Sequence, residues 1–291
     1  MRVAVASGKG GTGKTLVSTN LFWAAQKAGQ EVSIIDCDAE EPNVVEFVSG
    51  EEISTKLVKQ KIPVIDTNLC TYCNKCREYC NYNAIICLPP VKFIQVIEEL
   101  CHDCGACFVA CEAKAISEKD KTIGKISEKG YNMHARVIEG CTEVGVFSSV
   151  PVIKESIKQA ANAPCAIFDS PPGISCPFIA TVESSDFVVL VTEPTHFGLN
   201  DLLLSVETLE YLGKPFGVII NRAGIGNSDV YNWLKNNKVP LLMEIPFDRE
   251  IARVYSEGKL IAEELPLYAT LFSQLMNTIE KTIKQQSGYI Q

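Results

Sequence analysis

The sequence predicts an α/β fold in which helices cover both faces of a doubly wound, mostly parallel sheet, interrupted by a small inserted α+β domain. Short apolar runs alternate with helical patterns along most of the 291 residues, and this alternation is typical of parallel strands buried on both faces. Between about residues 61 and 120 the alternation gives way to cysteines and polar turns. We therefore assign 1–60 and 121–291 to the main domain and 61–120 to the insertion.

The predicted strands and helices follow one another regularly on either side of the insertion. Before it, we predict strands at 2–6 and 32–36 and a helix at 14–28. After it, we predict strands at 134–138, 166–169, 187–192, 216–221 and 241–245, and helices at 202–212, 229–236 and 267–285. The stretch 119–132 is rich in Lys and Gly and is predicted to be a linker that returns the chain to the sheet.

The composition argues against several function classes. A formal net charge of −8 disfavours nucleic-acid phosphates as a partner. The apolar run at the start is too short for a signal-peptide core, and no stretch approaches the roughly 18 apolar residues of a membrane span. The tail 286–291 lacks the basic amphipathic pattern of a membrane anchor. We therefore expect a cytoplasmic protein without a stable membrane anchor, whose thirteen cysteines are reduced thiols.

A glycine-rich run directly after the first strand predicts a phosphate-binding loop. The run Gly8-Lys9-Gly10-Gly11-Thr12-Gly13-Lys14-Thr15 fits the Walker A pattern and lies between a strand and a helix. Backbone N–H groups of such a loop converge on phosphate oxygens. Lys14 would bridge the β- and γ-phosphates, and the Thr15 hydroxyl would ligate Mg²⁺. We predict ATP or ADP with Mg²⁺ as ligands; a glycine-rich turn without a ligand is the alternative.

The loop contains a second lysine, Lys9, and in this feature it resembles the deviant-Walker ATPases related to MinD, ParA and Mrp. The resemblance extends to the first switch, Ile35-Asp36-Cys37-Asp38, and to the second, Asp169-Ser170-Pro171-Pro172-Gly173. It implies that Lys9 reaches the partner's phosphates in an ATP-bound homodimer and that Asp38 positions the attacking water. It also implies that Asp169 holds Mg²⁺ through water and that Gly173 senses the γ-phosphate. An exposed loop lysine without this role is the alternative for Lys9.

Later segments extend the same resemblance. Asn221-Arg222 lies at the end of a predicted strand and resembles the segment with which this family recognises the nucleotide base. Pro246-Phe247-Asp248 looks like the loop on the adenine side, and Glu193-Pro194-Thr195 also resembles the MinD group. Each match is short, but the matches occur in the family's order.

Eight of the thirteen cysteines form two runs of identical spacing, Cys-x-x-Cys-x-x-Cys-x-x-x-Cys. This spacing is typical of ferredoxins with two [4Fe-4S] clusters, in which the fourth cysteine of each run ligates the other cluster. The first cluster is therefore predicted to be bound by Cys70, Cys73, Cys76 and Cys111, and the second by Cys101, Cys104, Cys107 and Cys80. Zinc bound by Cys-x-x-Cys pairs is the alternative.

These motifs together predict an ATPase with a redox-active ferredoxin module. In the first hypothesis, the nucleotide state of a homodimer controls electron transfer through the clusters to an unidentified redox partner. In the second, the protein is an ATP-dependent assembly, carrier or maturation factor that acts on an apo-metalloprotein. A ParA-like positioning switch with structural or sensory clusters is the third. The roles of Cys37, Cys141 and Cys176 stay open.

Overall fold

The computed structural model describes residues 1–287 and contains, within them, a nine-stranded and a two-stranded sheet. The strands are β1 (Arg2–Ala6), β2 (Val32–Asp36), β3 (Glu51–Ile65), β4 (Ile85–Leu88), β5 (Phe93–Val96), β6 (Ile116–Asn132), β7 (Ala135–Thr142), β8 (Cys165–Asp169), β9 (Phe187–Thr192), β10 (Phe216–Ala223) and β11 (Leu241–Pro246). The helices are α1 (Lys14–Lys27), α2 (Lys75–Glu78), α3 (Ala106–Ala110), α4 (Val150–Gln159), α5 (Cys176–Glu183), α6 (His196–Tyr211), α7 (Asp229–Asn236), α8 (Arg249–Ser256), α9 (Ile261–Glu264) and α10 (Pro266–Ser287).

The chain divides into two compact units. The sheet unit comprises Met1–Lys56, Ile126–Cys141 and the chain from Ser149 onward. The cysteine unit comprises Leu57–Lys125 and Thr142–Ser148. The predicted insertion, 61–120, thus lies within a unit that begins earlier, ends later and takes up a second, separate segment of the chain.

The large sheet has the strand order β11-β10-β9-β1-β8-β2-β7-β6-β3. From β11 to β7 every neighbouring pair is parallel. In β2, β8 and β9 every residue is buried, because helices cover both faces of a sheet of this kind. The predicted α/β class with a mostly parallel sheet is therefore confirmed. The carboxyl ends of its parallel strands lie at one edge of the sheet, where the predicted functional residues end or follow the strands.

The prediction of a linker at 119–132 is wrong, since these residues belong to strand β6. Lys and Gly dominate the stretch and obscure its periodicity, but Ile123 and Ile126 are buried and the strand lies between β7 and β3 in the sheet. Strand β3 was not predicted either, because most of its side chains are exposed and carry no apolar pattern. Both strands are stabilised by pairing with distant parts of the chain, which a local pattern does not report.

Within residues 1–287, every helix is too short or too polar to traverse a lipid bilayer. The expectation that the tail 286–291 carries no membrane anchor falls mainly on residues 288–291, which lie outside the described residues.

Helix α10 closes the core of the sheet unit by packing against α1 and α9. Its buried face includes Phe272, Leu275, Met276 and Ile279, all of which belong to the main hydrophobic cluster. Leu267, on the same helix, is 64% exposed. The apolar stripe therefore contributes to stability through burial rather than through helix propensity.

We expect Phe272→Ala to lower the free energy of unfolding by about 3–5 kcal/mol, because Phe272 is fully buried and the change leaves a cavity. Urea unfolding followed by tryptophan fluorescence measures this unit, since both tryptophans, Trp23 and Trp233, lie in it. Leu267→Ala is the matched control and should change stability by less than about 0.5 kcal/mol. Similar losses in the two variants would contradict this account of α10.

Candidate functional site

The glycine-rich loop connects β1 to α1, and its neighbours approach the backbone closely. Gly13 has a φ of 98°, a conformation that glycine adopts without strain. A Cβ at Gly13 would overlap the amide of Asn221, whose Nδ2 donates to the Thr12 carbonyl at 2.7 Å. A Cβ at Gly8 would overlap the backbone of Asp201. Asn221 therefore contacts the loop itself, a contact that the sequence analysis did not anticipate.

The first two residues of α1, Lys14 and Thr15, are buried. The Thr15 hydroxyl donates to Oδ2 of Asp169 at 2.7 Å and lies 3.0 Å from Oδ1 of Asn43. Among the described residues, Oδ1 of Asp169 has no hydrogen-bond partner, and neither has the Thr12 hydroxyl. A buried carboxylate with an unused oxygen beside a hydroxyl is a donor set that suits Mg²⁺, so Thr15 and Asp169 fit this ion.

Two carboxylates lie side by side next to this threonine. Asp36 and Asp169 are direct partners in the register of the parallel strands β2 and β8. Burial, with a contribution from the charge of Asp169, raises the pKa of Asp36 to about 8. The N–H groups of Val44, Asn43 and Asp38 oppose this shift because they stabilise the charged carboxylate. Burial likewise raises the pKa of Asp169 to about 6, opposed by the Thr15 hydroxyl and Lys14. The pair therefore favours binding of a proton or a cation.

The predicted catalytic side chains converge on the same edge. Burial raises the pKa of Asp38, and the nearby Lys14 opposes this shift. Burial lowers the pKa of Lys14, while Asp169 and Asp38 oppose that change. The N–H of Gly173 donates to the Ser7 carbonyl at 3.1 Å, so binding a phosphate oxygen would require this hydrogen bond to break. Asp38, Lys14 and Asp169 thus form one electrostatic group.

Lys9 pairs with a glutamate of its own chain. Its Nζ lies 3.3 Å from Oε2 of Glu193, and Nη1 of Arg222 lies 2.6 Å from Oε1 of the same carboxylate. The Glu193 side chain is 10% exposed, whereas Lys9 is 32% exposed. Glu193 was noted in the sequence only as part of a family-like segment. The sequence signal for Glu193 is its position directly after strand β9 and before a proline.

The remaining predicted nucleotide-binding residues have local structural roles. Asp248 caps helix α8 by accepting a hydrogen bond from the N–H of Glu250 at 2.7 Å. Pro246 ends strand β11. Recognition of the base by Asn221, Arg222, Pro246 and Asp248 stays a prediction, since their contacts here are with protein groups.

The cysteine unit contains two cavities, each lined by four cysteines. One cavity is lined by Cys70, Cys73, Cys76 and Cys111 and the other by Cys80, Cys101, Cys104 and Cys107. In each cavity the fourth cysteine of one run joins the first three of the other run. Within residues 1–287, no three His, Cys, Asp or Glu side chains are grouped so as to hold a single metal ion.

The backbone repeats between the two runs as closely as the cysteines do. Positive φ angles occur at equivalent positions, in Tyr72 and Asp103, in Asn74 and Gly105, and in Asn83 and Lys114. The N–H of Ala84 donates to Cys80 Sγ and that of Ala115 to Cys111 Sγ, both at 3.3 Å. Left-handed conformations cost non-glycine residues about 1–2 kcal/mol each. These left-handed residues supply or directly precede the N–H groups that donate to sulfur, since Tyr72 itself donates to Cys70 Sγ and Asn83 and Lys114 precede Ala84 and Ala115.

Three further cysteines have different environments. Cys37 is fully buried, and burial raises the pKa of its thiol, which disfavours the reactive thiolate. Cys176 is exposed at the start of α5, and Cys141 is half-buried in β7. These environments do not assign a role to any of the three.

Comparison with known proteins identifies relatives along nearly the whole chain. The model of the CobQ/CobB/MinD/ParA nucleotide binding domain matches residues 3–261. An uncharacterized protein of Methanocaldococcus jannaschii is 32% identical over 89% of this chain and 90% of its own length. A protein of Nematostella vectensis, named as a cytosolic Fe-S cluster assembly factor NUBP2 homolog, is 22% identical over 90% of this chain and 85% of its own length.

Among solved structures, the septum site-determining protein MinD of Pyrococcus horikoshii, in complex with Mg-ADP, has the same fold. Its TM-score is 0.61 at 20% identity, and the match covers 97% of this chain and 96% of that one.

The raised pKa values of Asp36 and Asp169 predict that the nucleotide-free protein loses stability as pH rises. The contribution of the two carboxyl groups to the free energy of unfolding is complete below their ordinary pKa of 3.8. It is lost as the pH rises past about 6 for Asp169 and about 8 for Asp36. Asp169→Asn should flatten this part of the pH profile of the melting temperature, because the amide does not ionise. Glu207→Gln, at an exposed position of α6, should leave the profile unchanged. A profile of unchanged slope in Asp169→Asn would contradict this assignment.

Proposed function

Because this chain belongs to the CobQ/CobB/MinD/ParA nucleotide-binding domain family, we propose that it is a MinD/ParA-type ATPase whose nucleotide state is coupled to two [4Fe-4S] clusters. The observation that carries the iron-sulfur part is the pair of cavities, each lined by three cysteines of one run and the fourth of the other. In this proposal, electrons pass through the clusters to a redox partner under the control of ATP.

The nucleotide chemistry follows from the groups at the sheet edge. The loop 8–15 binds the phosphates through backbone N–H groups, and Lys14 balances their charge. A bound Mg²⁺ would be held by Thr15 and Asp169 and would neutralise charge on the phosphates. Asp38 lies close enough to Lys14 for the two charges to interact and orients the attacking water. Burial raises the pKa of Asp38 and so makes its carboxylate a stronger proton acceptor than an exposed one.

Lys9 links hydrolysis to the oligomeric state. The Glu193 carboxylate, which also binds Arg222, holds Lys9 in its own chain. A bound ATP adds negative charge that competes with Glu193 for the lysine. We infer that Lys9 leaves Glu193 for the phosphates of a second copy when an ATP-bound homodimer forms.

The cysteine unit favours clusters over two zinc ions for reasons of connectivity and backbone. Crossed runs of this spacing are the ligand pattern of two-cluster ferredoxins, whereas structural zinc sites are usually built from separated pairs. Left-handed residues between the cysteines create concave groups of N–H donors, and such nests occur at many iron-sulfur sites. The backbone N–H groups of Ala84 and Ala115 donate hydrogen bonds to cysteine sulfurs. Such hydrogen bonds favour iron-sulfur clusters in this proposal, because they tune cluster potentials.

A second candidate function is iron-sulfur assembly or maturation. The Nematostella relative is named as a cytosolic Fe-S cluster assembly factor, and its similarity covers most of both chains. In this candidate, the clusters move to an apo-metalloprotein partner when ATP is hydrolysed. Incubation of the cluster-loaded protein with an apo-ferredoxin and ATP separates the two candidates. Clusters that stay bound through repeated redox cycles favour electron transfer, whereas ATP-dependent loss of clusters to the acceptor favours maturation.

We expect Lys14→Ala to reduce ATP hydrolysis by about 10²-fold or more, since in this proposal the buried ammonium, which interacts with Asp169 and Asp38, bridges the β- and γ-phosphates. Lys154→Ala, on an exposed position of α4, is the control and should retain full activity. Phosphate release under anaerobic conditions measures the rate. Equal rates in Lys14→Ala and the unchanged protein would refute the assignment of this loop to ATP hydrolysis.

Cys104→Ser should reduce the iron and sulfide content by about half, because Cys104 lines one cavity only. Cys176→Ser is the matched control, since Cys176 is also exposed but lies outside the two runs. Metal analysis and electron paramagnetic resonance of the anaerobically reconstituted protein measure the clusters. Stoichiometric zinc without iron, or an equal loss in the two variants, would overturn the cluster proposal.

A further inference from the structure

A short segment of the chain, Thr142–Ser148, which we call the strap, belongs to the cysteine unit although the residues on both sides of it belong to the sheet unit. It begins at the last residue of strand β7 and ends shortly before helix α4. The N–H of Glu143 donates to the Ile123 carbonyl at 2.9 Å, and the strap turns at Gly145, whose φ is 85°. The strap is therefore anchored in one unit and continuous with the other at both ends.

Within the cysteine unit, the strap contacts the lining of the second cavity. The ring of Phe147 meets His102 edge-on, with centroids 6.0 Å apart. His102 is stacked on Tyr82, with centroids 3.7 Å apart and planes inclined by 12°. Both His102 and Tyr82 line the cavity of Cys80, Cys101, Cys104 and Cys107. A change in the position of Phe147 would therefore act on residues that lie between or beside these cysteines.

The first cavity has no equivalent of this aromatic stack. Because the two runs repeat, Thr71 occupies the position of His102, and Ala113 occupies the position of Tyr82. Thr71 and Ala113 line the first cavity in turn. The stack that Phe147 contacts thus has no aromatic counterpart at these two positions of the first cavity, and the two cavities are not equivalent.

Within the sheet unit, the residues that flank the strap contact the first switch or its neighbours in sequence. Strand β7, which leads into the strap, pairs with β2 so that Glu139 lies opposite Asp36. At the other end, the buried Ser149 donates from its hydroxyl to Oε1 of Glu40 at 3.4 Å. Glu40 follows Asp38 by two residues, and Asp38 interacts electrostatically with Lys14 of the phosphate loop.

We propose that the strap transmits the nucleotide state of the first switch to the second cysteine cavity. Glu40 and Ser149 connect it to the switch, and Phe147 with His102 connects it to the cavity. A displacement of the switch on nucleotide binding moves the anchored Ser149, and the short strap passes this movement to Phe147. The proposal rests on the proposed function for the identities of the nucleotide and the cluster, but not for the contacts themselves.

Hydrogen exchange of the purified full-length protein, measured by mass spectrometry with and without Mg-ATPγS, tests this route. Protection of the loop 8–15 reports nucleotide binding. In the unchanged protein, we expect nucleotide to alter the exchange rate of residues 101–105 by about fivefold or more, the lower end of ordinary coupling between sites. Nucleotide binding without any response at 101–105 overturns the proposal, and failure to protect the loop 8–15 overturns it together with the ATPase proposal.

Three variants locate the route. Phe147→Ala should abolish the response of 101–105 while the strap itself still responds. Ser149→Ala should abolish both responses while the loop 8–15 stays protected. Val144→Ala, at a fully exposed strap position, is the matched control and should preserve every response. Retention of the full response at 101–105 in Phe147→Ala would overturn the proposal.

Iron content and the potentials of the two clusters, measured on the same samples, separate this inference from the proposed function. With clusters present, nucleotide should shift the potential of one cluster in the unchanged protein and of neither in Phe147→Ala. Full iron content without a nucleotide response overturns the strap proposal alone. A nucleotide response at 101–105 in protein that binds no iron overturns the iron-sulfur proposal alone.

Discussion

Asp36 and Asp169 lie opposite each other because β2 and β8 are parallel neighbours in register, and the nucleotide site depends on this pair. Two buried like charges repel each other and lose hydration, so the pair favours a shared proton or a divalent cation. The groups around it balance the charge, with Thr15 and Lys14 on one side and backbone N–H groups from Asn43 and Val44 on the other. The same two carboxylates thus attract a cation, and Asp169 interacts with Lys14 and Thr15 at the end of the phosphate loop.

The cysteine unit faces a different constraint, because it is small and its ligand-run cysteines take part in its apolar packing. One of its buried clusters consists of Cys76, Ile85 and Ile116, and Cys107 and Cys111 pack against it. Small cores usually need a metal or covalent link for stability, and several residues of this unit adopt left-handed conformations at a cost in energy. If clusters occupy the cavities as proposed, they stabilise the unit as well as carry electrons, and each cluster joins the two halves of the repeat.

The repeat also shows how two similar sites acquire different environments. Thr71 and Ala113 line one cavity at the positions where the stacked rings of His102 and Tyr82 line the other. If the cavities hold clusters as proposed, this difference in surroundings would give the two clusters different potentials, because a cluster's environment sets its potential. Phe147 of the strap contacts His102 on the aromatic side, which connects this side to the rest of the chain.

The phosphate loop, the two cysteine runs and most strands of the sheet could be predicted from the sequence, because each is encoded by residues within a few positions of one another. The pattern failed at β6, where Lys and Gly hid a strand that lies between the neighbouring β7 and the distant β3. Only the tertiary structure joined Lys9 and Arg222 through Glu193, Asn221 to Thr12, and Phe147 to His102. These contacts join residues far apart in the chain, so their partners depend on how the strands are ordered and registered, which no local pattern specifies.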